Sequence, residues 1–161
     1  MRARVLAAGT RLPRWIDEAF TDYAGRLTGE VKMELREIPV TQRHGSDVAR
    51  ARAEEGRRML AALDPGMFVV ALEVGGKAHT TEALSRWLAA RLQDGRDLAF
   101  LIGGPDGLDP ACTQRADTTW SLSPLTLPHG LARVVLAEAL YRAFSLLKGH
   151  PYHRAGSPSG L

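Results

Sequence analysis

The sequence predicts a single-domain, three-layer α/β/α sandwich with a mostly parallel sheet, and three observations predict it. Short apolar runs without polar alternation recur along the chain, as strands buried on both faces require. Segments with apolar residues at helical spacing stand between them. The connections are brief turn signals such as Asp64-Pro65-Gly66 and Asp94-Gly95, with no linker or internal repeat.

The elements follow in order. "ARVLAAG" (3–9) is a buried strand closed by Gly9. Pro13 suits the start of a helix carrying Trp15, Ile16, Phe20, Tyr23 and Leu27, ended by Gly29. "VKMELREIPV" (31–40) alternates Val31, Met33 and Leu35 with Lys32, Glu34 and Arg36, the pattern of a half-exposed strand towards a sheet edge. Ser46 or Asp47 caps a helix through about Leu63. "MFVVALEV" (67–74) is an apolar strand expected to end at Gly75-Gly76. Thr80 or Thr81 caps the next helix, with Leu84, Trp87, Leu88 and Leu92 on one face. "LAFLIGG" (98–104) is a fully apolar strand, Asp109-Pro110 opens a short helix, and "TTWSLS" (118–123) is the last strand. A long helix runs from Pro128 to about Lys148.

The totals narrow the function classes. At 161 residues there is room for one core and not for two comfortable domains. No run reaches the ~20 apolar residues of a membrane span, and the N-terminus lacks a secretory apolar core. A lone cysteine, Cys112, permits no internal disulfide and fits a cytoplasmic location. The 5 histidines show no metal-ligand spacing, so no metal is expected. Net charge is +3, and of 21 basic residues only Lys32, Lys77 and Lys148 are lysine. Arginine is the better phosphate fork, although compositional bias explains the same excess.

In an open parallel sheet ligands bind beyond the carboxyl ends of the strands. Three such ends have unusual composition: Leu72 to Lys77, Ile102 to Gly107, and Leu122 to Pro128. "IGGPDG" lets backbone approach a ligand closely, or is simply a tight turn; it is neither a dinucleotide fingerprint nor a Walker loop. "LSPLTLPHG" is apolar and bracketed by prolines, so its backbone polar groups need partners. It is either a pocket that grips a flat ligand by main-chain hydrogen bonds or a buried crossover. The last helix has few polar interruptions, Arg133, Glu138 and Arg142, which points to burial on several sides and a two-fold subunit interface. Glu138 and Arg142 form an i,i+4 pair, or Glu138 crosses to position a partner's tail.

"LIGGPDGL", "WSLSPLTLPHGLARVVLAEALYRA" and the terminal "HPYHR", in this order and spacing, resemble the RlmH (YbeA) family of ribosomal large-subunit pseudouridine methyltransferases, within the SPOUT superfamily. The resemblance runs from Met1 to Arg154 and departs at Gly130, where a proline is common, and in the extra "AGSPSGL". It implies a methyltransferase domain over 1–154, a homodimer and a deep C-terminal trefoil knot, while the low-complexity composition of residues 155–161 reads as a disordered extension. It further implies S-adenosylmethionine (SAM) bound by Leu72, Gly103, Gly104, Leu122, Ser123, Pro124, Leu125, Thr126 and Leu127. The implied substrate is N3 of a pseudouridine in helix 69 of 23S rRNA, on the assembled ribosome.

That chemistry gives the tail a purpose. N3 is an imide nitrogen, and with a pKa roughly two units above neutral its ionisation costs about 3 kcal/mol. A charge-assisted hydrogen bond offsets on the order of 1.5–3 kcal/mol of that. Arg154 supplies the cation, Tyr152 a stacking face and a hydroxyl, and His153, His150 or water takes the proton, with Glu138 positioning the tail. His129 either contacts a ligand or caps the last helix. Arg43, Arg50, Arg52, Arg57 and Arg58 hold RNA phosphates or form a solvated helix face, where Glu54 pairs with Arg58. Two competing readings are a non-catalytic knotted RNA-binding dimer and an unrelated enzyme using Cys112 as nucleophile.

Overall fold

The computed structural model describes residues 1–40 and 47–153, the last without its side chain. Its elements are β1 (Arg2–Ala8), α1 (Arg14–Arg26), β2 (Lys32–Ile38), α2 (Val48–Ala61), β3 (Phe68–Ala78), α3 (Thr81–Asp94), β4 (Leu98–Ile102), α4 (Pro110–Arg115), β5 (Thr118–Ser121) and α5 (His129–Leu147). A 3-10 turn, Pro151–His153, follows. The sheet order is β2-β1-β4-β3-β5, and every paired neighbour is parallel. β2 lies at an edge, as its alternation predicts.

Strand residues divide between two cores at the pleat's period of two. Val5, Val70, Phe100 and Ile102 pack with Phe20 of α1, Leu84 and Leu88 of α3, and Leu136 and Leu140 of α5. Leu6, Val69, Ala99 and Leu101 face Met59 of α2 and Cys112 of α4. The result is three layers, with α1, α3 and α5 on one face and α2 and α4 on the other. Trp120 anchors the first core, with its ring 4.6 Å from Trp87, 5.4 Å from Phe100 and 5.1 Å from His79. No helix among the described residues is long and apolar enough to cross a membrane.

One expectation changes. Gly75-Gly76 does not end β3, which continues to Ala78. The strand bulges instead: both Leu72 and Lys77 pair with Trp120, and residues 73–76 loop out between them. Gly76 permits this, because a Cβ there would lie 2.5 Å from the carbonyl carbon of Trp120. Arg133, read as a polar interruption of the last helix, is fully buried. Its Nη1 donates to Glu37 Oε2 at 2.8 Å and its Nη2 to the Gly9 carbonyl at 2.8 Å, fastening α5 across the carboxyl ends of β1 and β2.

The apolar circumference of α5 is largely used within the chain, between α1, α3 and the sheet. What remains is a half-buried stripe at helical spacing: Leu131, Val135, Glu138, Arg142 and Leu146.

Candidate functional site

The carboxyl ends of β3, β4 and β5 and the start of α5 enclose a cavity of about 530 Å³. Eight of the nine residues expected to hold SAM line it: Leu72; Gly103 and Gly104; and Leu122, Ser123, Leu125, Thr126 and Leu127. Pro124 is exposed and does not line it. Ile102, Leu108 and Ala132 add apolar wall.

Each loop has a local reason for its shape. In the first, the β3 bulge carries Glu73 and Val74 to the cavity. In the second, the Gly107 N–H donates to the Gly104 carbonyl at 3.0 Å, closing a turn. A Cβ on Gly103 would lie 2.4 Å from the Gly107 carbonyl carbon, so the turn itself excludes a side chain there. In the third, Ser121 Oγ donates to the Ser123 carbonyl and the Leu125 N–H donates to Ser123 Oγ, both at 3.0 Å. These local bonds hold an apolar loop open without strand pairing.

The cavity is mostly apolar with few polar groups, as suits a cofactor carrying a flat heterocycle. Its volume lies within the range of cofactor sites, and the wall at residues 122–127 offers main-chain groups between leucine side chains. The residues present therefore fit SAM. Among the described residues no three His, Cys, Asp or Glu side chains come together as a metal would need.

His129 lines the cavity and is the first residue of α5, with Pro128 at the cap position. Burial lowers its pKa, and the nearby Arg133 lowers it further, so the ring is neutral at neutral pH.

The tail lies elsewhere. The Tyr152 hydroxyl donates to Glu138 Oε1 at 3.3 Å, and its ring packs 4.6 Å from Tyr141 and beneath the Arg142 guanidinium at 5.0 Å. Arg142 Nη2 holds Glu138 Oε1 at 2.6 Å, so the i,i+4 pair forms and Glu138 also secures the chain's own Tyr152. Burial raises the Tyr152 pKa, as do a hydrogen bond with Tyr23 and the Glu138 charge. The phenol is thus a donor and not a base in this setting. At the helical rise of about 1.5 Å per residue, Tyr141 lies on the order of 13 Å along α5 from the cavity residue Ala132. Within one chain, then, Tyr152 and Glu138 come together with each other and not with the cavity. Arg154 and the His153 side chain lie outside the described residues, as does Arg43.

On α2, Arg58 pairs with Glu54 at 2.6 Å and donates to the Pro39 carbonyl, while Arg50 and Arg57 are exposed and Arg52 is half-buried. Cys112 is fully buried, and desolvation pushes its thiol up to about 11, which removes it as a nucleophile. Sequence reasoning did not single out Glu73 or the burial of Arg133. The signal for Glu73, a carboxylate two positions before a pair of glycines, is faint; Arg133 gives none, because its partner is distant in the sequence.

The comparisons agree with the geometry. A family model described as "Predicted SPOUT methyltransferase" matches residues 1–153. A protein of Alkalilimnicola ehrlichii named ribosomal RNA large subunit methyltransferase H is 59% identical, over 96% of this chain and 100% of its own. Its namesake in Thioalkalivibrio sulfidiphilus is 52% identical, over 96% and 99%. Among solved structures, TrmJ from Z. mobilis ZM4 aligns with a TM-score of 0.54 at 16% identity, over 99% of this chain and 74% of its own. A methylase family protein of Haemophilus influenzae aligns at 0.55 and 12%, over 98% and 71%. At those identities the structures speak for the fold alone. With the family model and the relatives both spanning nearly the whole sequence, the chain belongs to the SPOUT methyltransferase family.

Proposed function

We propose that this chain is a SAM-dependent methyltransferase of large-subunit ribosomal RNA, acting on N3 of a pseudouridine in helix 69 of 23S rRNA. The observation that carries it is the convergence of three separate strand ends on one cavity whose chemistry fits SAM. The relatives' name supplies the ribosomal substrate; the tail "HPYHR" supports an imide nitrogen as the methyl acceptor.

Bound SAM supplies a methyl group on a cationic sulfur. Leu122 and Leu127 would shield it from water, while the main-chain groups of the 122–127 loop would hold the adenine and Gly103 and Gly104 would allow close approach. Arg154 stabilises the imide anion, and His153, His150 or water takes its proton. Tyr152, held protonated, stacks on the base and orients it.

Because Tyr152 sits away from its own cavity, we assign the working site to two copies, with the tail of one reaching the cavity of the other. The half-buried stripe of α5 that includes Glu138 and Arg142 supports that interface, and so does Trp15 of α1, a large exposed aromatic. The knot, with the segment after β5 threaded through a loop, belongs to the same proposal, as do the 1–154 domain boundary and a cytoplasmic location. The test is mass spectrometry of 23S rRNA from cells lacking the gene, with and without the gene restored. A helix 69 pseudouridine that loses one methyl and regains it is expected; an unchanged nucleotide refutes the assignment.

A further inference from the structure

The 530 Å³ cavity has a wall with one formal charge. Among the residues that line it there is no lysine or arginine, and Glu73 is the sole carboxylate. Glu73 is placed there by the β3 bulge and held by Thr113 of α4, whose hydroxyl donates to Glu73 Oε1 at 3.0 Å. It has no ion pair among the described residues. A half-buried carboxylate fixed by a neutral donor, facing an apolar cavity and lacking a cation, keeps its field for whatever enters.

We infer that Glu73 is the counter-charge by which this site tells the methyl donor from the spent product. This rests on the SAM reading above. SAM carries a sulfonium, an ammonium and a carboxylate, for a net charge of +1. Transfer breaks the S–CH3 bond as the N3–C bond forms. The electron pair returns to sulfur, and S-adenosylhomocysteine is left as a neutral thioether with no net charge. Every other group is the same in the two molecules, so shape and hydrogen bonding scarcely distinguish them. A lone fixed carboxylate in an apolar wall does, and its attraction for the sulfonium ceases at the moment of transfer, which favours product exit. His129, neutral at neutral pH, adds no opposing charge to the wall.

The test is calorimetry of SAM and of S-adenosylhomocysteine, in parallel, on the full-length protein and on Glu73→Gln. Glutamine keeps the size and can still accept from Thr113. The expected result is a loss of about tenfold in SAM affinity with S-adenosylhomocysteine affinity unchanged, the latter also showing that the variant is folded. Added salt should weaken SAM binding to the unmodified protein more than product binding. Equal weakening of both ligands would mean that Glu73 contacts a group they share, such as the ribose, and overturns the inference. No change in either also overturns it. If Glu73→Gln binds neither ligand, Thr113→Val, which frees the carboxylate without removing it, decides: a selective loss for SAM supports the inference and a parallel loss defeats it. Should the unmodified protein bind neither molecule, the SAM reading itself falls.

Discussion

At its first turn, α5 faces the cavity through His129 and Ala132, and Arg133 is locked there by Glu37 and the Gly9 carbonyl. Further along, the same helix carries Glu138, Tyr141 and Arg142, and the C-terminal turn rests on them through Tyr152. The first region is assembled from β1, β2, β3, β4 and β5 and closed by a fully buried charge. The second is a half-exposed contact of one hydroxyl, two rings and a surface ion pair, each worth on the order of 1 kcal/mol or less. A cavity fixed by the core and a tail held lightly can be separated by substitution. That is what a site shared between two copies needs: the tail can be altered without disturbing its own cavity.

The largest effect expected is from Arg154→Ala. Loss of an electrostatic partner of the developing anion should lower single-turnover methylation on the order of 10²–10³-fold. SAM affinity measured by calorimetry should stay nearly constant. A parallel fall in SAM binding would mean that tail and cavity are one unit and would break the comparison.

The cavity end is probed by Glu37→Gln, which leaves the Arg133 charge buried without its carboxylate. Glu37 is itself exposed, so the loss is that of a charge-assisted hydrogen bond, about 1.5–3 kcal/mol, and urea unfolding should show it. Loss of Tyr152 contacts by truncation before Pro151 should cost far less in the same assay.

Acid sharpens the contrast more gently. His79 and His129 both titrate below their ordinary value of 6.5, chiefly because burial disfavours the cation. The folded protein thus binds fewer protons than the unfolded chain just below that pH. Stability present above about pH 6.5 is lost as the pH falls towards the two depressed values. Melting temperatures between about pH 7 and 5 should decline, and His129→Gln should flatten the decline. The smallest effect is expected far from both regions: Glu54→Gln breaks an exposed helix pair with Arg58 and should shift stability by less than about 1 kcal/mol.

What the sequence revealed follows the range of the interaction. Strands β1, β3 and β4 were legible because burial on both faces leaves continuous apolar runs. The loop at 122–128 stood out because an apolar, proline-bracketed stretch has no regular home. The extension of β3 past Gly75 was hidden, since glycines that stop one strand let another approach Trp120, and only the neighbouring backbone decides. The burial of Arg133 was hidden for a similar reason. Helical spacing marks it as an interruption, and Glu37, which makes its burial tolerable, lies 96 positions away. The placement of Tyr152 against Glu138 and Tyr141 of its own α5 was beyond any local signal in "HPYHR".

The shared site is tested most directly by mixing two inactive proteins. Arg154→Ala lacks the tail's cation; Leu72→Trp fills the cavity. Refolded together in equal amounts, they form mixed pairs in which one intact tail can meet one intact cavity, and about a quarter of the unmodified methylation activity should return if the site spans two copies. Activity that stays at the level of the separate variants, with mixed pairs shown to form, would place tail and cavity of a single chain in the same site and contradict the account.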